Sequence, residues 1–300
     1  MKAAFYTLGC KTNIYDTQAM EEILSSAGYD IVPFQDIADV YIINTCAVTN
    51  VSESKSRQII HRARKTNPRA VVIAAGCYSQ IDPARLLSLK EVDGIIGIAD
   101  RDRLPHLIAA AKAEKTDYVM PHSDAALYEP LRIHAYSEKT RAFLKIQEGC
   151  DNYCAYCVIP YARGHARSRK IEDILREAKE LAALGHREIV LTGTHIASYG
   201  KEGQGVSLID VIEGLQQIEP IARIRLGSLE PKILTPPFLT RLQACDKICD
   251  SFHLSLQSGS QNTLHRMGRR YSAAEYAQIA GNIRTYFPAC SLTTDVIVGF

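Results

Sequence analysis

The chain has no run of about 18 apolar residues, so it offers no transmembrane helix. Its first residues, MKAAFYTLGCKTN, turn polar too early for a secretory signal peptide. It carries no internal repeat and no low-complexity segment. It also lacks a strong charge bias: 35 Lys and Arg against 33 Asp and Glu leave +2. That argues against a histone-like polycation and leaves local basic patches open. The expected compartment is the cytoplasm, where thiols stay reduced.

What is present is cysteine. Nine of them are an odd and high count for such a compartment. Disulfides explain them poorly there, so metal ligation or catalysis gains weight. Apolar residues make up 46% of 300 residues, and the mean hydropathy is −0.09. This suits about two domains, each with its own core.

Short apolar runs alternate with amphipathic stretches in the first part of the chain. Strands are expected at Ala3–Thr7, Tyr29–Val32, Asp39–Ile43, Ala70–Ala75 and Gly94–Ile98. Helices are expected at Asn13–Ala27, Ser52–Thr66, Pro83–Leu87 and Arg103–Ala113. Asn67-Pro68 stops the second helix, and Asp102 can cap the last. The stretch Met120–Lys139 has no period and carries two prolines, as a linker would. Beyond it, strands are expected at Phe143–Gln147, Glu188–Thr192, Ala222–Gly227, Phe252–Leu256 and Ser291–Val298. The clearest helix is Ile171–Leu184. Ile171, Ile174, Leu175, Ala178, Leu181 and Ala182 share one of its faces, and Gly185 stops it.

Alternation of this kind implies parallel sheets covered by helices. The expected fold class is α/β: an N-terminal open parallel-sheet domain over residues 1–119, a linker over 120–139, and an incomplete six-unit β/α barrel over 140–300. The chain stops at TTDVIVGF, an apolar β-branched run without cap or turn, as a fragment of a longer protein would.

IQEGCDNYCAYCVIPYARG follows an expected strand and spaces Cys150, Cys154 and Cys157 as Cys-x-x-x-Cys-x-x-Cys. Structural zinc prefers four ligands, usually in paired Cys-x-x-Cys units. His165 could supply a fourth, but it lies beyond Arg163-Gly164. Three thiolates suit a four-iron cluster that keeps one iron open. An open iron can chelate the amino and carboxylate groups of S-adenosylmethionine, and an electron passed to the sulfonium releases a 5′-deoxyadenosyl radical. Tyr156, just before the third cysteine, is placed to pack on the adenine. On spacing alone, zinc or a loop of unrelated thiols remains open. The triplet with its aromatic, at the end of a barrel's first strand, looks like the radical S-adenosylmethionine superfamily. That resemblance implies cofactor contacts from the barrel rim: Thr192, Gly193 and Thr194, then Ser228 and Glu230, then Gln257 and Ser258.

Cys10, Cys46 and Cys77 are far apart in sequence, yet each lies just beyond an expected strand: AAFYTLGC, VYIINTC and VVIAAGC. Ligands of open parallel sheets bind in the crevice at those carboxyl ends, so three thiols could converge there. Equally, they could be buried small hydrophobes. TLGCKTNIYDTQ, INTCAVTN and AAGCY resemble the N-terminal domain of the methylthiotransferases, and the match covers essentially the whole chain. In that family three such cysteines hold a second four-iron cluster. The resemblance therefore implies two 4Fe-4S clusters and S-adenosylmethionine as cofactors. INTCAVTNVSESKSRQ, EGCDNYCAYCVIPYARG and RSRK are most similar to the branch acting on threonylcarbamoyladenosine in tRNA. The isopentenyladenosine branch usually has glutamine where Lys11 stands, and the branch modifying a ribosomal-protein aspartate differs more after the third cysteine. Family members continue past the position of Phe300 with a sixth strand and a small RNA-binding β-barrel. Cys245, Cys249 and Cys290 match no ligand position and are expected as reduced structural thiols.

The activity implied is methylthiolation of carbon 2 of N6-threonylcarbamoyladenosine at position 37 of tRNA. That carbon bears an unactivated aromatic hydrogen beyond the reach of any side-chain base, so no acid–base residue is assigned. The cofactors carry the hard step. In the scheme the resemblance implies, one cluster starts the radical and the other carries the sulfur. Basic residues fall in three groups: Lys55, Arg57, His61, Arg62, Arg64 and Lys65; Arg163, Arg167, Arg169 and Lys170; and Arg266, Arg269 and Arg270. Of these, Lys55, Arg57, Arg62, Arg163, Arg167 and Arg169 are the candidate RNA contacts. A flipped anticodon-loop base would suit such a site. The expected partners are the tRNA anticodon stem-loop and an electron donor such as flavodoxin or ferredoxin, with no membrane and a monomeric chain. The rival readings are a sister methylthiotransferase and, from another class, a zinc-stabilised RNA-binding protein without catalysis.

Overall fold

The computed structural model describes residues 1–122, 127–133, 141–203 and 205–300. Two compact units emerge: Met1–Ile133 with Val158–Gly164, and His134–Cys157 with His165–Phe300.

The first unit is built on six parallel strands: β1 (Lys2–Thr7), β2 (Asp30–Val32), β3 (Val40–Thr45), β4 (Val71–Gly76), β5 (Gly94–Ile96) and β6 (Thr116–Tyr118). Their order is β2-β1-β3-β4-β5-β6. The helices are α1 (Lys11–Ser26), α2 (Asn50–Thr66), α3 (Cys77–Ile81), α4 (Pro83–Leu87), α5 (Leu104–Ala111) and α6 (Ile159–Arg163). Strand alternation sorts the core onto two faces. Val40 and Ile42 pack with Met20 and Leu24 of α1 and Leu107 and Ile108 of α5. Tyr41 and Ile43 pack with Ile60 and Ala63 of α2, Leu86 of α4 and Ala162 of α6. Because both faces are covered, the central strands read as unbroken apolar runs.

Three details depart from expectation. β6 (TDY) is a half-exposed edge strand without an apolar run to betray it. Asp102 does not cap α5; it sits inside a 3-10 turn, Arg101–Arg103, and α5 begins with no side-chain cap. α2 starts at Asn50 because Thr49 Oγ1 accepts the Ser52 N–H at 3.1 Å. The expected linker falls partly outside the described residues. Its described end packs within the first unit, where Leu131 and Ile133 are buried and the Leu131 carbonyl accepts the Tyr15 hydroxyl at 3.0 Å.

The second unit contains β7 (Arg141–Glu148), β8 (Arg167–Ser168), β9 (Glu188–Gly193), β10 (Arg223–Leu226), β11 (Ser251–His253) and β12 (Ser291–Thr293). β10-β9-β7-β8 form one sheet, with β8 antiparallel, and β11-β12 form a parallel pair. Bridges Ile224–Ile248 and Leu229–Leu254 carry the curl from β10 to β11, which gives an incomplete barrel. The helices are α7 (Ile171–Ala183), α8 (Leu208–Gln216), α9 (Pro236–Gln243), α10 (Gln261–Arg266) and α11 (Ala273–Tyr286). α7 buries Ile174, Ala178, Leu181 and Ala182. It ends where Gly185 takes φ +93 and the His186 N–H reaches back to the Leu181 carbonyl at 3.1 Å. The last strand is shorter than its apolar sequence suggests: beyond Thr293 it keeps one bridge, Gln257–Val296. Among the described residues no helix is long and apolar enough to cross a membrane.

Candidate functional site

Cys10, Cys46 and Cys77 follow β1, β3 and β4 at their carboxyl ends, and the strand order reverses between β1 and β3. Such a reversal opens a crevice. Two glycines let the backbones approach there. Gly9 takes φ +99, and a Cβ on it would stand 3.0 Å from both Cβ and Sγ of Cys46. Gly76 takes φ +91, and a Cβ on it would collide with Asn44 Oδ1. A pair of buried asparagines then ties the loops together. Asn13 Nδ2 donates to the carbonyls of Leu8 (2.7 Å) and Thr45 (3.0 Å), while Asn44 Nδ2 donates to the Asn13 carbonyl (2.9 Å).

Arg163 completes this region. Its Nε donates to Cys77 Sγ at 3.3 Å, and its guanidinium also bonds Asn13 Oδ1 and Asp16 Oδ2, the latter at 3.1 Å. Arg101 shares Asp16 at 3.0 Å. Burial pushes the Cys77 thiol up, Arg163 opposes that shift, and Cys10 and Cys46 reinforce it, so the three thiols feel one another. Cys46 and Cys77 are buried, and Cys10 is exposed.

In the second unit, the Cys150, Cys154 and Cys157 triplet lies on the loop after β7. Tyr153 occupies the left-handed region, and the Cys157 N–H closes a turn on the Cys154 carbonyl at 2.9 Å. The Ala155 N–H bonds the Met267 carbonyl at 3.0 Å, just past α10. Burial pushes the Cys150 thiol up to about 11; the Asn152 N–H works against this, and Cys157 and Cys154 add to it. Arg269 Nη1 donates to Cys154 Sγ at 3.3 Å, and its guanidinium carbon lies 4.8 Å from the Tyr271 ring centre. Burial holds the Tyr156 hydroxyl up at about 12.

Rim residues pin this loop. Gln147 Oε1 accepts the His195 N–H at 2.7 Å, and its Nε2 donates to the carbonyls of Glu148 and Gly149. Thr194 Oγ1 accepts the Gly149 N–H at 3.2 Å. Glu230 receives Asn152 Nδ2 at 3.0 Å and faces His195 Nε2 at 2.7 Å. Burial alone would raise the Glu230 carboxyl, but His195, Asn152 and Arg269 hold it down at about 2. Thr192 and Gly193 close β9. Ser228 is exposed, and Gln257 (φ +68) and Ser258 bond within their own neighbourhood, to Asp295 and Ser260. Charge and spacing did not reveal Asn13, Asn44, Gln147, Asn152 or His195, although every one lies within a few residues of a cysteine, a rim position or a strand end; Arg269 was counted by charge in a basic group, not as a partner of Cys154. His165, the conceivable fourth zinc ligand, lies 2.6 Å from Asp151 instead.

Two expected RNA contacts must be corrected. Arg163 is 1% exposed and Arg169 3%, so neither presents its charge at the surface. Asp16 pairs with the first and Glu177 of α7 with the second. Lys55 and Arg62 are exposed on α2, Arg57 bonds the Tyr78 hydroxyl at 2.8 Å, and half-buried Arg167 bonds the His165 carbonyl at 3.0 Å.

All nine cysteines are free thiols. Among the described residues, no three His, Cys, Asp or Glu side chains are posed around a single metal ion. Tetrahedral zinc, with bonds of about 2.3 Å, would bring its sulfurs to roughly 3.8 Å of one another. Two all-thiol triplets, each with an arginine hydrogen-bonded to a sulfur, suit iron–sulfur clusters, whose potentials such bonds tune.

The family described as Uncharacterized protein family UPF0004 matches residues 2–97, and the Radical SAM superfamily matches residues 144–300. Among curated relatives, the threonylcarbamoyladenosine tRNA methylthiotransferase MtaB of Bacillus subtilis (strain 168) is 40% identical over 99% of this chain and 66% of its own length. The protein of that name from Aquifex aeolicus (strain VF5) is 41% identical over 100% and 73%. A tRNA-2-methylthio-N(6)-dimethylallyladenosine synthase of Syntrophomonas wolfei is 34% identical over 100% and 68%. The fold is like that of the radical S-adenosylmethionine methyltransferase TsrM from Kitasatospora setae, with a TM-score of 0.68 at 14% identity over 98% of this chain and 67% of that one. Half-barrel and matched domain define the class, a radical S-adenosylmethionine protein, which implies a 4Fe-4S cluster and S-adenosylmethionine. More narrowly, the chain belongs to the methylthiotransferase family of that superfamily. It spans about two thirds of the length of the Bacillus subtilis relative.

Proposed function

We propose that this protein methylthiolates carbon 2 of N6-threonylcarbamoyladenosine at position 37 of tRNA. The observation that carries this reading is the match over essentially the whole chain, at 40% and 41% identity, to two enzymes named for that substrate. Cys150, Cys154 and Cys157 hold the cluster that works with S-adenosylmethionine, and Cys10, Cys46 and Cys77 hold a second one. Together these groups supply the electron, the radical and the sulfur that an unactivated aromatic carbon requires.

The chain's own residues bind and orient. Asn152, Glu230 and His195 fix the triplet loop, Gln147 and Thr194 anchor its Gly149 end, and Arg269 places a cation on Cys154. Tyr156 would pack on the adenine of the cofactor, and Thr192, Gly193, Ser228, Gln257 and Ser258 would hold it along the rim. Arg163 orients Cys77. Lys55, Arg57, Arg62 and Arg167 contact RNA phosphates, so binding should weaken steeply with salt. The protein works as a monomer in the cytoplasm, with a donor such as flavodoxin or ferredoxin.

The test is anaerobic reconstitution with iron, sulfide and S-adenosylmethionine, followed by mass spectrometry of nucleosides from a threonylcarbamoylated anticodon stem-loop. A gain of one methylthio group on that nucleoside is expected. A gain on dimethylallyladenosine instead, or bound zinc with negligible iron and sulfide, would overturn the reading.

A further inference from the structure

One cleft in the second unit opens beside the triplet loop and is not accounted for by the thiols. It has a volume of about 310 Å³, and its polar lining comprises Lys201, Lys232, Arg270, Thr235, Asn152 and Glu230. Three cations therefore face one carboxylate. That carboxylate is already engaged: Glu230 takes Asn152 at 3.0 Å and His195 at 2.7 Å. Lys232 lies 3.8 Å from Glu275 in an exposed, weak pairing. The Arg270 guanidinium meets a neutral group, the Asp151 carbonyl, at 3.4 Å. Among the described residues no carboxylate pairs with Lys201 or Arg270.

Backbone donors contribute little here. Thr235 opens α9, but the next two residues are Pro236 and Pro237, which have no N–H, and the first free amide, Phe238, bonds Thr235 itself. Recognition in this cleft thus falls to side-chain cations. A guanidinium fork and two ammonium groups around a small concavity suit a single planar oxyanion on a ligand.

We propose that this cleft receives the free carboxylate of the threonyl group on the modified adenosine, and that Lys201, Lys232 and Arg270 determine which modified base is accepted. The inference rests on the substrate reading above and deepens it. A dimethylallyl group has no charge to offer, and seating it here would strip water from three cations without replacing it. The cleft therefore selects for an acidic substituent and against an apolar one.

The experiment uses the reconstituted full chain and anticodon stem-loops whose residue 37 carries the threonylcarbamoyl acid, its neutral methyl ester, or a dimethylallyl group. Wild-type protein should bind the acid about tenfold more tightly than the ester, the worth of one good charge-assisted bond. Lys201→Met, Lys232→Met and Arg270→Met should each bring acid binding down towards that of the ester. Ester affinity and S-adenosylmethionine affinity should stay unchanged. Equal wild-type affinity for acid and ester, with both above the dimethylallyl RNA, would overturn the cleft assignment and leave the substrate reading standing. Equal losses on acid and ester in the variants would reassign the cations to RNA phosphate, and weaker S-adenosylmethionine binding alone would reassign them to its own carboxylate; either result overturns the proposal. Preference of the wild type for the dimethylallyl RNA would overturn the substrate reading and the cleft assignment together.

Discussion

The two thiol triplets are built in opposite ways. Cys150, Cys154 and Cys157 share one loop of eight residues, whose shape is set by local turns and by side chains that pin it. Cys10, Cys46 and Cys77 come from three strand ends and meet because β1, β3 and β4 are neighbours in register. The first triplet is a property of a short segment, while the second is a property of a whole sheet. Each nonetheless has an arginine donating to one sulfur at 3.3 Å. Arg163 is sealed in with Asp16, whereas Arg269 is half-buried over a tyrosine ring. A site assembled by a sheet should therefore fail with the sheet, and a loop site should fail more locally.

The largest test of that contrast compares the two arginines. Arg163→Leu leaves Asp16 fully buried with one cation fewer, and breaking a buried pair costs about 3–5 kcal/mol. Arg269→Leu removes a hydrogen bond to sulfur and a ring contact, which together cost about 1–2 kcal/mol. Denaturant unfolding of the apo protein should separate the two. Equal losses would show that the strand-end site depends on its sheet no more than the loop site does.

A second test uses acid and belongs to the loop site. The Glu230 carboxyl sits at about 2 in the fold against an ordinary 4.5. A depressed folded value means its stabilisation is complete above about pH 4.5 and is lost as pH falls towards 2. The contribution is about 3 kcal/mol, at 1.36 kcal/mol for each pH unit between the two values. Glu230→Gln should be less stable than wild type at pH 7 and should flatten the acid limb of the unfolding curve. An unchanged limb would mean that His195 and Asn152 do not hold the loop through this carboxylate.

How much could be read beforehand follows the same division. The central strands of the first unit were legible because both their faces are covered and they carry unbroken apolar runs, VYII and VVIAA. β6 and the two-residue β8 were not, since so short an edge has no periodicity to detect. The cysteines stood out by residue type, and so did their placement at strand ends. What supports them did not. Asn13 reads only as the start of a helix and Asn44 only as the residue after a strand, until the fold buries both and ties them to each other's loops. Arg163 and Arg169 were counted by charge, but their partners Asp16 and Glu177 are known only once the packing is. A charge count registers cations and is blind to what neutralises them.

The smallest test turns on a glycine beside each site. Gly76 precedes Cys77 and Gly268 follows α10 near Cys154, and both have positive φ, +91 and +71. A methyl group at Gly268 meets a backbone penalty of about 1 kcal/mol, and at Gly76, whose φ 91 and ψ −155 fall in a region essentially confined to glycine, about 1–3 kcal/mol. Space distinguishes them further. At Gly268 the nearest atom to an added Cβ is Cys154 Cα at 3.9 Å, an ordinary contact, whereas at Gly76 the Cβ runs into Asn44 Oδ1 and comes within 2.9 Å of the Thr45 carbonyl. Asn44 cannot yield without releasing the Asn13 carbonyl and Thr17, so the clash spreads to the loops that carry Cys10 and Cys46. Gly76→Ala should therefore cost about 2–3 kcal/mol and Gly268→Ala about 1 kcal/mol by urea unfolding. With iron loaded anaerobically, Gly76→Ala should also retain less iron per chain than Gly268→Ala, because its strain falls on residues that three strands must hold together.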